Sequence, residues 1–510
     1  MNCTPHQTAT PTGGSTRYAN ALILCVFGLE ACTIGPKYVM PDTLAPAAFK
    51  EIAPQQAADG SVWKPAEPMD ATLRGKWWEI YREPELDALE EKLETSNQSI
   101  AQSFQNFMAA RAQVRLARSN FYPTVTTAPS YTRERSSQNT GSGRSAGGGT
   151  AVASPTTNVF ALPFDVSWEP DLWGKVSNTV REYANAAQVS AADLANERLT
   201  EQANLAVYYF KLRGQDSLQE LYEQTVESDR RSLELTQTLV RTGVDDQQAA
   251  AQARLALKEA EAELTGAGVD RAQYEHAIAL LVGEPASTFS LPHHPLTTSV
   301  PAIPIGIPSD LLQRRPDIAA AERTMSQANA LIGVETAAFY PSFTLSAEGG
   351  FQSSSFSNWL TWPSRFFSIG PALSQTLFDG GLRRSTVAQY TAQYKADEAS
   401  YKQTVLTAFQ QTEDYIAAVR ILGRQLEQQQ DAVDAAREYL TLAQTRHRTG
   451  LDPYINVLNA QTSFLSDQQT AVNLEVQQLT GSVQLIEALG GGWSTAQLPS
   501  EKSVASDEPK

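Results

Sequence analysis

Arg448-Thr449-Gly450-Leu451-Asp452-Pro453 interrupts two long stretches that share one period. After it, Leu458, Leu465, Val472, Leu479 and Ile486 recur at every seventh residue. Before it, Leu426, Val433 and Leu440 keep the same spacing, with Ala436 and Ala443 as small partners. An apolar residue at this interval lays one stripe along a helix and marks a left-handed coiled coil. Gly450 suits the left-handed conformation that ends a helix, and Pro453 suits the start of the next. The stretch therefore reads as the tip of a helical hairpin. The same turn stands earlier as Arg241-Thr242-Gly243-Val244-Asp245. It is approached by Leu205, Leu212, Val226, Leu233 and Val240, with only Gln219 out of step. A hairpin written twice predicts a chain made of two copies of one unit.

Working outward, each tip is preceded by a change of period from helix to strand. Phe121-Tyr122-Pro123 and Phe339-Tyr340-Pro341 both mark a helix-to-strand junction, because proline cannot continue a helix. After the second, Phe343, Leu345, Ala347, Gly349 and Phe351 alternate with polar or small residues. Phe160, Leu162, Phe164, Val166 and Trp168 do the same, as do Phe367, Ile369, Pro371 and Leu373. Four strands are expected, at about 124–135, 158–168, 342–352 and 366–376. Each is about ten residues, the length of a tilted membrane-spanning strand. The rows divide into apolar with aromatics and small or polar, which fits lipid outside and water inside.

The segments then fall in order. Residues 1–31 read as a signal peptide, with Arg17 before the apolar run Ala19–Leu29 and the small-residue ending Glu30-Ala31-Cys32. Cys32 is expected to be the acylated first residue of a lipoprotein; the plainer reading is a signal peptide with an incidental cysteine. Residues 32–68 are an extended, proline-rich N-terminal segment. The first repeat is 69–284, a Pro-rich linker is 285–308, and the second repeat is 309–493. Residues 494–510 are expected to be a disordered tail. From Gly174 each long helix would run roughly 100 Å to its tip at 1.5 Å per residue.

The chain has 510 residues and a net charge of −16, which argues against nucleic-acid binding. All three cysteines, Cys3, Cys25 and Cys32, precede the body, so no disulfide or thiolate metal site is expected there. No run of eighteen apolar residues follows the leader, so no transmembrane helix is expected. The Ser/Gly-rich stretch from Ser136 to Thr157 lacks the Gly-Lys-Ser/Thr ending of a phosphate loop. The five histidines, His6, His276, His293, His294 and His447, are scattered; His293-His294 reads as a solvated pair. No nucleophile–base or acid–base constellation stands out, so the chain is not read as an enzyme and no cofactor is expected beyond a covalent lipid on Cys32. Four strands cannot close a membrane barrel, and an open edge cannot face lipid. The chain must oligomerise: two copies would give eight strands and a filled lumen, three would give twelve and a channel.

Several motifs carry a resemblance. They are Cys32-Thr33-Ile34-Gly35-Pro36-Lys37-Tyr38, Trp77-Trp78-Glu79 with Pro84-Glu85-Leu86, and Trp168-Glu169-Pro170-Asp171-Leu172-Trp173-Gly174. Arg314-Arg315-Pro316-Asp317-Ile318, Leu377-Phe378-Asp379-Gly380-Gly381, both turns and Ala488-Leu489-Gly490-Gly491-Gly492-Trp493 complete the set. In order from Cys32 to Trp493, the chain resembles the lipoprotein branch of TolC-like outer-membrane efflux factors. The resemblance implies a mixed, mainly α fold. It implies a homotrimer with a twelve-stranded transmembrane β-barrel, a periplasmic α-helical coiled-coil barrel and an equatorial belt. It implies the outer-membrane channel of a tripartite efflux pump in a Gram-negative bacterium, passively conducting drugs or other toxic small molecules. The implied partners are a periplasmic adaptor protein and an inner-membrane resistance-nodulation-division transporter. Adaptor docking would fall on Arg241, Thr242, Gly243 and Val244, and on Arg448, Thr449, Gly450 and Leu451. The alternative is the same kind of duct serving type I-like protein secretion.

Overall fold

The computed structural model describes residues 34–42, 45–51, 75–135, 156–306 and 308–506. Cys32, the leader and nearly all of the Ser/Gly-rich stretch lie outside the described residues. The chain forms two units: one from Met1–Val39, Ala112–Asn185 and Ser326–Lys395, the other from Met40–Arg111, Ala186–Met325 and Ala396–Lys510. In chain order the elements are α1 (Pro84–Ser96), α2 (Gln98–Ser119), β1 (Thr124–Thr127), β2 (Ser130–Arg135) and β3 (Thr156–Trp168). Then come α3 (Lys175–Arg241), α4 (Gln247–Leu281), α5 (Leu311–Arg314), α6 (Pro316–Ala337), β4 (Ser342–Ser353) and β5 (Arg365–Ser374). The last are α7 (Leu382–Arg448), α8 (Tyr454–Ala488) and α9 (Glu501–Val504). No helix among the described residues is long and apolar enough to cross a membrane.

The first unit holds one antiparallel sheet, in which β1 and β2 both pair with β3, β3 with β4 and β4 with β5. The strand expected over 124–135 is split at Ala128-Pro129, because Pro129 has no N–H to give the ladder. Its register on β3 is nevertheless unbroken: Thr127 faces Phe164 and Ser130 faces Ala161. The Thr127 hydroxyl donates to the Pro163 carbonyl oxygen at 2.7 Å inside the break. Residues facing each other across an antiparallel pair project to the same side. Val125–Val166–Ala347–Ile369 therefore form one apolar row, and Phe164–Gly349–Phe367 the next. These rows stay open: Phe367 is 81% exposed, Ile369 77% and Leu373 71%.

The motifs around the sheet work as fasteners. Trp168 donates its indole N–H to the Phe121 carbonyl at 3.0 Å, and Trp173 donates to the Pro341 carbonyl at 2.7 Å. Both Phe-Tyr-Pro junctions are thus pinned from one short motif. Asp171 accepts from the Val176 and Ser177 amides at 2.9 and 2.8 Å, satisfying otherwise unpaired N–H groups at the start of α3. Asp379 does the matching work at α7, accepting from the Gly381 amide at 3.0 Å. Ile34 accepts from Asn178 and Pro36 from Asn329, both at 3.0 Å, so this part of the N-terminal segment lies along the unit.

The second unit carries the main core. Trp77 and Trp78 are buried and meet edge to face, with ring centres 5.9 Å apart. They pack with Leu86, Leu93, Phe210, Ile278 and Val483. Arg315 forks onto Asp317, reaches the Gln411 side chain at 2.9 Å and donates to the Ala488 carbonyl at 3.1 Å. The Arg-Pro-Asp motif thereby joins α6, α7 and the end of α8. The Pro-rich linker is held by Arg213, which donates to the Pro292 carbonyl at 2.8 Å, and by Arg271, which donates to the Leu291 carbonyl at 2.9 Å. His293 bonds Gln219 at 3.0 Å, and the His294 amide donates to buried Asp216 at 3.0 Å. A tail disordered from residue 494 is not what is found through Ser506. A turn at Thr495–Gln497 and α9 follow the second repeat, Val504 is fully buried, and the Ser506 carbonyl accepts from Arg111 at 3.1 Å. The reason is that Leu498 and Val504 supply enough apolar surface to hold a short segment with no period of its own.

Candidate functional site: the two hairpin tips

Both tips lie in the second unit and close in the same way. At the first, the Gly243 amide donates to the Val240 carbonyl at 3.1 Å and the Val244 amide to the Leu239 carbonyl at 2.9 Å. At the second, Gly450 donates to His447 and Leu451 to Arg446, each at 2.9 Å. This pair of bonds is the Schellman arrangement, which needs a left-handed residue just past the helix. Gly243 and Gly450 supply it, with φ of 77° and 70°. The return helices start differently. Asp246 caps α4 by accepting from the Ala249 amide at 2.9 Å, whereas Pro453 precedes α8 with no side-chain cap.

The tips sit side by side: a Cβ added at Gly450 would lie 3.9 Å from the Val244 Cγ1. Beneath them Ala249, Ala253, Ala443, Val457 and Ala460 form, with Tyr454 and Leu233, a core of mostly small residues where all four hairpin helices meet. His447 is buried there rather than turned toward open space. Its Nδ1 donates to the Asp452 carbonyl at 3.1 Å, its ring meets Tyr454 edge to face, and its Nε2 lies 3.4 Å from an Asp245 carboxylate oxygen. His447 thus belongs by its hydrogen bond to the second tip and only abuts the Asp245 carboxylate of the first, without a hydrogen bond to it. Arg446 forks onto Asp452 at 2.6 and 3.1 Å, and this guanidinium holds the Asp452 carboxyl below its usual range.

All eight expected tip residues are exposed. Among the described residues, the Arg241 side chain bonds only back to Thr238 on its own helix, at 3.0 Å. Arg448 has no ion-pair partner among the described residues. Val244 and Leu451 present bare apolar side chains beside these charges. The surface offers cations, two apolar knobs and helix ends, and no group that could act as a nucleophile with a base. A cleft of about 640 Å³ behind the tips is lined by Glu223, Glu227, Arg231, Gln444, His447 and Tyr454. No cluster that could hold a metal ion occurs among the described residues.

Further up the hairpins are cross-repeat contacts that heptad reading does not find. Gln461 donates to Asp229 at 3.2 Å and Gln469 to the Tyr222 hydroxyl at 3.2 Å, each joining α8 to α3. The only sequence signal is two glutamines eight residues apart on α8, a weak one. Burial lifts the Asp229 carboxyl from 3.8 to about 6 and the Tyr454 hydroxyl to about 12.

A five-strand sheet with one bare apolar face, joined to paired helical hairpins in two repeats, defines a subunit of an outer-membrane channel of the TolC-like type. The chain belongs to the outer membrane efflux protein family, whose model matches residues 89–284 and 307–491. It is 30% identical over 501 residues to the probable efflux pump outer membrane protein TtgC of Pseudomonas putida, covering 96% of this chain and 99% of that one. Its fold matches that of the outer-membrane channel OprN, with a TM-score of 0.81, 28% identity, and 91% and 100% of the two chains covered. The Campylobacter jejuni CmeC channel matches with a TM-score of 0.83 at 21% identity, over 91% and 96% of the two chains. The chain is accordingly an outer-membrane efflux channel and not an enzyme.

Proposed function

We propose that three copies close a twelve-stranded barrel in the outer membrane. The helical hairpins would continue it into the periplasm as a coiled-coil barrel with a mixed belt, passively conducting drugs, solvents or similar toxic compounds outward. The observation that carries this reading is the sheet. It has one exposed apolar face, and its outer edges, on β1/β2 and on β5, have no strand partner among the described residues. Lipid tolerates the apolar face but not an unpaired edge, so edges must meet between copies. Exposed apolar residues on the helices, including Leu235, Leu255, Leu406 and Ile421, call for partners in the same way. The test is conductance of the purified full-length protein across a planar bilayer. Stepwise single-channel currents support the reading, and an electrically silent protein that is inserted overturns it.

The tips are proposed to dock a periplasmic adaptor, with an inner-membrane resistance-nodulation-division transporter beyond it. Arg241 and Arg448 have the reach to donate to backbone carbonyls of a partner hairpin, and Val244 and Leu451 can pack on it. The segment that begins at Ile34 is proposed to follow a lipid-bearing Cys32. Labelling cells with a palmitate analogue should mark the wild type and leave Cys32→Ala unmarked; equal labelling of both would exclude that anchor.

A further inference from the structure

We propose that His447 and Asp245 form a proton-operated latch between the two hairpin tips, open when the imidazole is neutral and shut when it takes up a proton. Every contact in it lies within one chain and one unit, so it does not depend on how many copies assemble. The His447 Nδ1 faces the Asp452 carbonyl oxygen at 3.1 Å, and a carbonyl only accepts, so Nδ1 carries a hydrogen. In a neutral ring Nε2 is then a bare acceptor. It lies 3.4 Å from Asp245 Oδ2, which is also an acceptor. Both atoms are buried, and neither has a hydrogen-bond partner among the described residues. Two lone pairs facing each other away from water are unfavourable. One proton on Nε2 turns the same contact into a charge-assisted hydrogen bond, after a closing movement of about half an ångström.

The surrounding groups leave Asp245 as the partner. On the same helix, Arg446 is engaged by Asp452 and Arg448 is exposed. In the first turn, Asp246 is engaged in capping α4. From α8, Tyr454 meets the imidazole edge to face, and its hydroxyl has no partner among the described residues. From α3, Glu223, Glu227 and Arg231 line the cleft that His447 also lines, and Glu227 is paired with Arg230 and Arg231. From α4 come only Ala249 and Ala253 in the core beneath the tips. Asp229 on α3 acts on the Tyr454 hydroxyl and titrates at about 6, so it is the competing source of pH dependence. Imidazole is the side-chain group whose charge ordinarily changes between about pH 5 and 8. A tie that holds its proton only when shut is shut by acid and released as the pH rises. On the docking reading above, on which this consequence rests, acid presents the two tips as one joined surface and neutrality lets them part.

Hydrogen exchange of the purified full-length protein in detergent reads the latch. Protection of the Gly243, Val244, Gly450 and Leu451 amides, corrected for the intrinsic pH dependence of exchange, is compared at about pH 7.5 and about pH 5.5. A hydrogen bond to a charged group is worth a factor of order ten or more, so wild type should gain about tenfold protection in acid. His447→Phe keeps a ring against Tyr454 but cannot take the proton, and its protection should stay low at both values. Asp245→Asn offers an amide N–H to the neutral Nε2, and its protection should stay high at both. Asp229→Asn should respond as wild type does. An acid response that survives in His447→Phe or in Asp245→Asn overturns the latch. So does a response lost in Asp229→Asn, which assigns it to that carboxyl, or a wild type whose protection is unchanged or falls in acid. This readout involves neither conduction nor an adaptor, so its failure is distinct from failure of the docking reading.

Discussion

At the scale of single residues, Gly243 and Gly450 show how little sequence a hairpin tip requires. Each holds a positive φ that a side chain would strain, and neither has a neighbour close enough to resist a methyl group. Alanine at either position should therefore cost about 1 kcal/mol through backbone strain alone. Amide exchange at Val244 or Leu451 should quicken about fivefold, with the rest of the helix unchanged. Arg241 and Arg448 present the opposite case, charges with no structural work beyond their own helix ends. Arg241→Ala with Arg448→Ala is expected to abolish efflux, read as drug susceptibility of a complemented deletion strain, without lowering trimer yield on native gels. Retained resistance would remove these arginines from adaptor docking.

At the scale of elements, the strands and the helices differ in how they expose their logic. A strand face is decided by alternation, so substitutions one residue apart on β5 should differ sharply. Ile369→Lys places a charge on the bare apolar row, at a cost of roughly 2–4 kcal/mol in the bilayer midplane. Ser368→Lys faces the other way, opposite Glu348, and should be tolerated. Heat-resistant trimer recovered from membranes reads the difference. On the helices, Asp229 makes a pH prediction. Its carboxyl titrates at about 6 in the fold against 3.8 ordinarily, because burial disfavours the charged form. A raised acid costs nothing while protonated in both states, below about pH 4, and the full penalty appears above pH 6 to 7. The shift corresponds to a loss of order 3 kcal/mol. Asp229→Asn should remove that loss, so urea unfolding in detergent should show the variant gaining on wild type between pH 4.5 and 7.5. A constant difference across that range would exclude the effect. Strand limits were legible from alternation to within a few residues. The split at Pro129 was not anticipated, although the proline was in plain view, because the register continues across it.

At the scale of the whole molecule, the chain presents surfaces it cannot satisfy alone: two unpaired sheet edges, a bare apolar face and apolar residues along its helices. Charge-bearing positions on the strands are sorted between faces, which a soluble sheet with one wet face would not require. On the proposed trimeric reading, the purified protein in a planar bilayer should conduct, and an adaptor that docks at the tips as proposed should alter the closed-to-open ratio of those currents.

By itself the sequence determined the two repeats, the hairpins, the strand alternation and the family. Each of these is written in periodicity or in short motifs, and periodicity depends only on neighbours two to seven residues away. The tertiary structure decided what joins distant segments. It set β3 against β4 in one sheet, aligned the arginines of β2 and β5 on one face, and buried His447 between the tips. It also anchored the last residues through Val504 and Ser506. Those outcomes depend on register and on burial against segments hundreds of residues away, and one position in a strand reverses which face a side chain takes.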